Sequence, residues 1–146
     1  MIEPITEFQN EFRFLSNFWP ALGKTVEHFF QAEKTLDPQW KARILRAPTP
    51  SAAKVAGRAA PLRENWDEIK IPTMKGLLQK KFADKELALD LMLTDPRELI
   101  EGNWWHDNFW GNCLCARCNH IEGENHLGKL LMEVRDEIIR ASTIRT

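Results

Sequence analysis

Apolar residues recur at helical spacing in two stretches of the chain. One stripe, after Asn125, consists of Leu127, Leu130, Leu131, Val134 and Ile138, and an earlier one consists of Met74, Leu77, Leu78 and Phe82. Residues three or four positions apart share one face of an α-helix, so each stripe predicts a helix with a buried face. The earlier stripe lies in a predicted helical region over residues 64–82, which Pro72 is expected to interrupt.

Capping residues mark the beginnings of three further predicted helices. Thr25 is the N-cap of a helix that runs to about residue 36, shortly before Pro38. Thr49 followed by Pro50 combines a cap with a first-turn proline, and this helix is expected to stop at residue 61. Asp84 caps the third.

The remaining segments predict little regular structure. Residues 11–18, EFRFLSNF, alternate Phe12 and Phe14 before Ser16, which is typical of a short strand ending in a turn. Residues 102–123 form an irregular segment rich in tryptophan, cysteine and histidine. The patterns predict an α+β fold that is predominantly α-helical, with about five helices and one or two short strands. The length of 146 residues predicts one domain over 1–146.

Charge and composition narrow the possible partners. A net charge of −1 argues against a broad basic surface for duplex nucleic acid. A small phosphorylated ligand needs only a few placed cations and stays possible. No segment approaches the ~20 apolar residues of a membrane-spanning helix. The first residues, MIEPITEFQNEF, lack the features of a secretory signal, so we expect a cytoplasmic location and no membrane partner.

Three polar residues follow one stripe of the first predicted helix. At ~100° per residue, Glu27, Gln31 and Lys34 lie within roughly 40° to 60° of one another, beside Phe29 and Phe30. Glu27 and Lys34 are about 10.5 Å apart in helical rise, so they lack the spacing of an i, i+4 ion pair. The stripe is either a solvated face or the floor of a cleft. In a cleft, partial burial prepares a carboxylate and an amine for acid, base or nucleophile chemistry.

The cysteines form a compact motif with metal-ligand character. Cys113, Cys115 and Cys118 give C-x-C-x₂-C, and His106 precedes them. His120 and His126 follow, so no single histidine is indicated as the fourth ligand of a tetrahedral Cys₃His zinc site. A structural zinc and three reduced thiols in a partly buried loop are both compatible with this spacing. A catalytic metal is the least favoured interpretation.

Several motifs occur in a fixed order along nearly the whole chain. They are FLSNF, TVEHFFQAEK, PSAAKVAGR, a basic segment followed by tryptophan, a D-x-x-W-G loop and NHLGKLLMEVR. This order resembles the NADAR or YbiA-like family, which includes N-glycosidases of riboflavin-pathway intermediates and enzymes that remove ADP-ribose from guanine. The resemblance implies a hydrolase that cleaves an N-glycosidic bond at the anomeric carbon of a phosphorylated ribose.

The resemblance also carries residues onto this chain. Matches to the family's motifs are Glu27, Lys34, Trp66, Asp107, Trp110, Gly111, Asn125 and Gly128. One departure concerns the residue after the glycine of D-x-x-W-G, where many members have aspartate and a glycine-rich loop. This chain has Asn112 and then CLCARC. Either Asp107 takes over the role of a second carboxylate, or this branch has no such role.

Cleavage of an N-glycosidic bond sets the roles of the predicted catalytic residues, Glu27, Lys34 and Asp107. Positive charge builds on C1′ and negative charge on the leaving base, so the site needs an anion near the sugar and a proton donor near the base. Glu27 can serve as either. The resemblance implies that Lys34 attacks C1′ of the opened sugar to form an imine. The alternative is direct attack by water, with Lys34 holding a hydroxyl or phosphate. Neither route requires a cofactor.

The predicted substrate-binding residues combine aromatic, cationic and amide groups. They are Asn17, Gln31, Arg58, Arg63, Trp66, Trp110, Gly111 and Asn125. The tryptophans can stack on a base and the arginines can bind phosphate, while core packing and surface ion pairs are the competing interpretations. The expected ligand is a small ribosyl phosphate or an ADP-ribosylated nucleotide or nucleic acid.

Two other functions fit the same residues. A module that binds ADP-ribose or a related nucleotide without turnover would keep the tryptophans and arginines and use Glu27 for a ribose hydroxyl. A small interaction protein with a structural zinc would require its metal to fold and would release no base. Release of free base from candidate N-ribosides distinguishes the hydrolase from both.

Overall fold

The chain folds into two units, and the structure, a computed structural model, describes residues 2–145. The middle unit is Asn17–Lys81, and the terminal unit combines Met1–Ser16 with Phe82–Thr146. α-Helices with a few two-residue strands make up both, which confirms the predominantly helical α+β class. The single domain expected over residues 1–146 stays a prediction. No helix in the described part of the chain is long and apolar enough to cross a bilayer.

A tight hairpin begins the middle unit. Strands β1 (Pro20–Ala21) and β2 (Lys24–Thr25) pair antiparallel, with Pro20 opposite Thr25. Leu22 and Gly23 between them have positive φ angles of 58° and 81°, the backbone of a type I′ turn. The turn delivers the chain directly into the first helix.

Four helices complete the middle unit. They are α1 (Val26–Glu33), α2 (Pro38–Leu45), α3 (Pro50–Ala59) and α4 (Trp66–Lys81). The side chains of Thr25, Asp37 and Thr49 accept hydrogen bonds from backbone N–H groups and cap the first three. Helix α1 packs against the other three, and a small apolar core of Ala32, Ile44 and Ala53 lies among α1, α2 and α3.

Three predictions about elements of the chain need correction. Helix α1 ends at Glu33 instead of near residue 36, and α2 is absent from the predicted elements. Pro72 does not interrupt α4, because the loss of one backbone hydrogen bond is outweighed by burial of the apolar stripe beyond it. The strand expected over residues 11–18 is a 3₁₀ helix, Asn10–Leu15. Phe14 and Leu15 are consecutive residues of this 3₁₀ helix and both are buried, whereas consecutive residues of a strand point to opposite faces.

The terminal unit contains two helices and a short parallel ladder. Helices α5 (Lys85–Met92) and α6 (His126–Arg145) pack together, and strands β3 (Gly102–Asn103) and β4 (Asn112–Cys113) pair. Asp84 caps α5 as predicted. The stripe predicted on α6 is buried at Leu127, Leu130, Leu131 and Val134. On the same helix, the buried Arg135 donates to Thr94 Oγ1 at 3.0 Å and to the carbonyl of Arg97 at 2.8 Å.

Candidate active site

Glu27 and Gln31 form a buried polar pair one turn apart on α1. Gln31 Nε2 donates to Glu27 Oε1 at 2.7 Å. Gln31 is 3% exposed and Glu27 is 7% exposed. The backbone N–H of Glu27 donates to the carbonyl of Asn17 at 3.1 Å. A buried carboxylate needs such partners to offset the loss of water. The pair is therefore not the solvated face that the sequence left open.

Two amide oxygens, one within this pair and one on Asn17, have unused acceptor capacity. Gln31 Oε1 and Asn17 Oδ1 are buried and have no hydrogen-bond partner within the described residues. Asn17 Nδ2 makes a 3.5 Å contact with the sulfur of Met74. Leaving a buried acceptor unsatisfied costs about 1 to 3 kcal/mol. A hydroxyl or N–H group of a ligand at these atoms would recover that free energy.

Gly57 on α3 makes room for the Gln31 side chain. A Cβ added at Gly57 would overlap Gln31 Oε1 and approach Gln31 Cδ to 2.8 Å. Glycine inside a helix costs about 1 kcal/mol relative to alanine, so it indicates a packing reason. Gly57 is absent from the predicted site, and a glycine within PSAAKVAGR, a segment predicted to be helical, is the signal that could have revealed it.

Lys34 directly follows α1 and is half-buried. Burial lowers the pKa of its amine below the ordinary 10.5, the Glu27 carboxylate raises it, and Lys54, Arg58 and Lys70 lower it. The net effect is a lowered pKa, which increases the neutral fraction of the amine at a given pH. The structure thus brings the amine of Lys34 within electrostatic reach of the Glu27 carboxylate.

The three cations around Lys34 form a positive cluster on two helices. Lys54 and Arg58 are one turn apart on α3, and Lys70 on α4 makes a 3.1 Å ion pair with Asp67. Arg58 belongs to the predicted binding residues, whereas Lys54 and Lys70 do not. The i, i+4 spacing of Lys54 and Arg58 is a sequence signal that could have added Lys54 to the predicted binding residues. Nothing local in the sequence connects Lys70 to the other two cations.

Arg63 and Trp66, also predicted to bind substrate, have structural contacts in the middle unit. Arg63 Nε donates to Asn65 Oδ1 at 3.0 Å, and its Nη1 donates to the carbonyl of Glu33 at 3.4 Å. Trp66 is 6% exposed and packs on Phe30 with ring centroids 5.0 Å apart. Arg63 also forms a 3.9 Å ion pair with Glu33. The contacts of the two residues match the competing interpretations of ion pairing and core packing, and the binding roles stay predictions.

Asp107 shapes a loop in the terminal unit. Its Oδ1 accepts hydrogen bonds from the backbone N–H groups of Phe109 at 3.1 Å and Trp110 at 2.9 Å. The fully buried Asn103 brackets it, accepting from the N–H of Asp107 at 3.1 Å and donating to its carbonyl at 2.8 Å. One carboxylate oxygen is thus committed to folding the loop, and a catalytic role for Asp107 stays a prediction.

Asn125 and Gly111 hold the same loop against the start of α6. Asn125 Nδ2 donates to the carbonyl of Leu99 at 2.9 Å, and its Oδ1 accepts from the N–H of Glu101 at 3.0 Å. A Cβ at Gly111 would overlap the backbone carbonyl and carboxylate of Glu101. Trp110 packs edge-on against Phe109. The binding roles predicted for Trp110, Gly111 and Asn125 stay predictions.

The structure gathers the three cysteines around one histidine. His106 Nδ1 lies 3.3 Å from the sulfurs of Cys115 and Cys118 and 3.7 Å from that of Cys113. All four potential ligand atoms lie within 4.8 Å of one another, so they could hold one metal ion. His126 instead contacts Glu124 at 3.3 Å. Tertiary structure therefore selects His106 among the three candidate histidines.

Ionisation of these thiols is perturbed by their proximity. Burial raises the pKa of Cys113, but hydrogen bonds from Cys115, His106 and Cys118 outweigh it and bring the value to about 6. Burial and hydrogen bonds with the other two cysteines raise the pKa of Cys118.

Comparison with known proteins identifies the family. The family model described as the NADAR domain matches residues 7–139. The chain belongs to the NADAR domain family. N-glycosidase YbiA of Escherichia coli is 39% identical over 133 residues, which covers 84% of this NADAR protein and 79% of YbiA. A riboflavin biosynthesis protein of Vibrio vulnificus is 32% identical over 135 residues, which covers 86% of this chain and 35% of that protein.

A solved structure agrees with this assignment. The NMR structure of the E. coli protein YbiA superimposes with a TM-score of 0.81 and 35% sequence identity, covering 98% of this NADAR protein and 89% of YbiA. With relatives at this level of identity named N-glycosidases, this NADAR protein is an N-glycosyl hydrolase.

Proposed function

We propose that this NADAR protein hydrolyses the N-glycosidic bond of a phosphorylated ribosyl base, in the class of riboflavin-pathway intermediates. The observation that carries the proposal is the buried Glu27–Gln31 pair with the amine of Lys34 in its field. The Vibrio vulnificus relative named as a riboflavin biosynthesis protein supports the substrate class.

The unused amide oxygens are suited to a sugar. Gln31 Oε1 and Asn17 Oδ1 lack donors, and ribose hydroxyls are donors of the right kind. Hydrogen bonds to these two oxygens would orient the sugar relative to the Glu27 carboxylate. The amide nitrogen of Gln31 holds that carboxylate in place. Gln31 therefore serves as a positioning residue as well as a ligand.

Glu27 provides the negative charge that the reaction needs. As the bond between C1′ and the base nitrogen breaks, positive charge develops on the ribose, and a nearby carboxylate stabilises it. In the direct route, water attacks C1′ and transfers a proton to Glu27. That proton then passes to the departing base, so that the products are the free base and the ribose phosphate.

Lys34 enters the reaction in one of two ways. In the covalent route its neutral amine attacks C1′ of the opened sugar, the base leaves with a proton, and water later hydrolyses the imine. The lowered pKa of Lys34 supports this route because only the neutral amine is nucleophilic. In the direct route Lys34 is a charged ligand of a hydroxyl or phosphate.

The cations near Lys34 support a phosphorylated substrate. Lys54, Arg58 and Lys70 create positive potential at this end of the site, and guanidinium and ammonium groups bind phosphate oxygens through charge-assisted hydrogen bonds. We expect removal of the substrate's phosphate to raise KM more than it lowers kcat. Arg58→Ala should raise KM for the phosphorylated substrate and have little effect on its dephosphorylated counterpart.

A substrate panel tests the proposal. Phosphorylated and dephosphorylated N-ribosides and ADP-ribosylated guanine nucleotides are incubated with wild type, Glu27→Gln and Lys34→Ala, and released base is measured. The exposed Glu68→Gln and Lys80→Ala serve as matched controls. We expect 10²- to 10⁴-fold losses in the first two variants, typical of acid–base or nucleophilic groups, and normal rates in the controls. Full turnover in both site variants would refute the site.

The same panel separates the remaining possibilities. An adduct trapped by borohydride in wild type but absent in Lys34→Ala identifies the covalent route. Release of guanine nucleotide alone would identify the ADP-ribosyl adduct as the substrate. Saturable binding with no released base from any compound would identify a nucleotide-binding module instead.

The proposed chemistry uses no cofactor, and we assign any metal at the Cys/His cluster a structural role. We also place the protein in the cytoplasm, where three free cysteines stay reduced.

A further inference from the structure

We propose that His106, Cys113, Cys115 and Cys118 bind one structural zinc ion. In a tetrahedral Cys₃His site, Zn–S bonds of about 2.3 Å and a Zn–N bond of about 2.0 Å place sulfur and nitrogen about 3.5 Å apart and two sulfurs about 3.8 Å apart. The sulfur-to-Nδ1 distances here are 3.3, 3.3 and 3.7 Å. No ligand atom lies more than 4.8 Å from another, so small side-chain adjustments complete the tetrahedron.

Hydrogen bonding alone does not account for this arrangement. The Nδ1 atom of His106 makes one well-formed hydrogen bond, as donor or acceptor according to its tautomer. Three sulfurs nevertheless surround it at near-equal distances. A metal ion at the centre gives each sulfur and the nitrogen a favourable interaction at once.

The backbone supports the same conclusion. His106 has a φ angle of +70°, in the left-handed region that costs a residue with a Cβ atom about 1 to 2 kcal/mol. Cys113 lies in β4, and the 3₁₀ helix Ala116–Cys118 turns the chain so that Cys118 faces back toward it. Metal binding would offset the backbone cost at His106.

The ligand count makes the site structural. Four protein ligands fill a tetrahedral zinc, so no position stays open for water or substrate. The three cysteines coordinate as thiolates, whose protons go to solvent, and neutral His106 coordinates through Nδ1, which leaves a net charge of −1 on the site.

The zinc would fix the loop that precedes it. Cys113 pairs with Asn103 across β4 and β3, and Asn103 hydrogen-bonds both backbone groups of Asp107. Asp107 in turn positions the N–H of Trp110. Zinc at Cys113 thus stabilises the segment that carries the D-x-x-W-G motif, independently of the Glu27 and Lys34 chemistry.

Metal analysis of the purified full chain tests the proposal. Protein prepared with a reductant, without a metal-affinity tag, is expected to contain one zinc per chain. Its three thiols should react slowly with a thiol reagent and quickly after a chelator removes the metal. Cys115→Ser and His106→Ala should lower zinc affinity by at least tenfold, whereas His120→Ala, outside the cluster, should retain it.

A second measurement keeps the proposal testable if the variants fail to fold. Wild-type protein freed of metal and titrated with Co²⁺ should show the visible bands of a tetrahedral site and sulfur-to-cobalt charge transfer at one equivalent. Absence of zinc, freely reactive thiols before chelation and no tetrahedral Co²⁺ spectrum would together overturn it.

Discussion

Gln31 Nε2 donates a 2.7 Å hydrogen bond to Glu27 Oε1, while Gln31 Oε1 has no partner within the described residues. One amide thus holds the carboxylate with its donor, and we propose that its acceptor receives a hydrogen bond from a ligand. This division explains why an amide, rather than an apolar residue, occupies a helix position that is only 3% exposed.

Gln31→Leu should remove both functions while keeping the side-chain volume. We expect kcat/KM to fall by about 10²-fold, since a lost hydrogen bond to a charged group and a lost ligand contact together cost about 3 kcal/mol. A merely structural role would instead lower the unfolding free energy and leave the kcat/KM of the folded variant unchanged. Gln39→Leu, at an exposed position on α2, serves as the control.

Gly57→Ala and Gly76→Ala form a matched pair of helix substitutions. A Cβ at Gly57 overlaps Gln31, so we expect loss of stability and of activity as Gln31 is displaced. A Cβ at Gly76 has no atom within 4 Å, so alanine should stabilise the protein by about 0.5 to 1 kcal/mol with normal activity. Urea denaturation and kinetics measure both effects. Equal behaviour of the two variants would contradict the packing argument.

Lys34→Arg tests whether Lys34 acts as a nucleophile or only as a positive charge. Arginine keeps a positive charge for a hydroxyl or phosphate but has no neutral form in this pH range. Under the covalent route, which the lowered pKa of Lys34 favours, the variant should lose at least 10²-fold in kcat and all borohydride trapping. Near-normal kcat in Lys34→Arg would instead assign the attack to water.

Lys81 should make stability depend on pH. Its side chain is 1% exposed, and burial lowers its pKa from 10.5 to about 7. Between these values the unfolded chain binds a proton that the folded chain does not, so stability rises with pH, by up to about 1.4 kcal/mol per unit. Below about pH 7 the amine is protonated in both the folded and the unfolded chain. The destabilisation by Lys81 is then at its largest and no longer changes with pH.

Denaturation of Lys81→Met between pH 7.5 and 9.5 measures this contribution. The slope of unfolding free energy against pH should be smaller than in wild type, because the titrating amine is gone. The exposed neighbour provides the control, since Lys80→Met retains Lys81 and should keep the wild-type slope.

Asp107→Asn keeps the acceptor that caps the loop. If loop folding is the main role of Asp107, the asparagine oxygen still accepts from Phe109 and Trp110, and we expect kcat within about threefold of wild type. Asp107→Ala should lower the unfolding free energy by about 1 to 2 kcal/mol. A loss of 10²-fold in Asp107→Asn would restore the catalytic role predicted from the sequence.

Features that depend on short-range physics could be predicted from the amino-acid sequence. The caps Thr25, Thr49 and Asp84 and the buried stripe of α6 follow from hydrogen bonding and side-chain spacing within a few residues. The common stripe of Glu27, Gln31 and Lys34 follows in the same way. The alternation of Phe12 and Phe14 was too short a pattern to distinguish a strand from a 3₁₀ helix.

Contacts between residues far apart in the sequence became visible only in the folded chain. Gly57 lies against Gln31 because α3 packs on α1, and Lys70 joins the cations near Lys34 because α4 does. His106 rather than His120 or His126 reaches the cysteines. Each of these pairings depends on how helices and loops pack, and the free energy that selects one packing is spread over many residues that no local pattern contains.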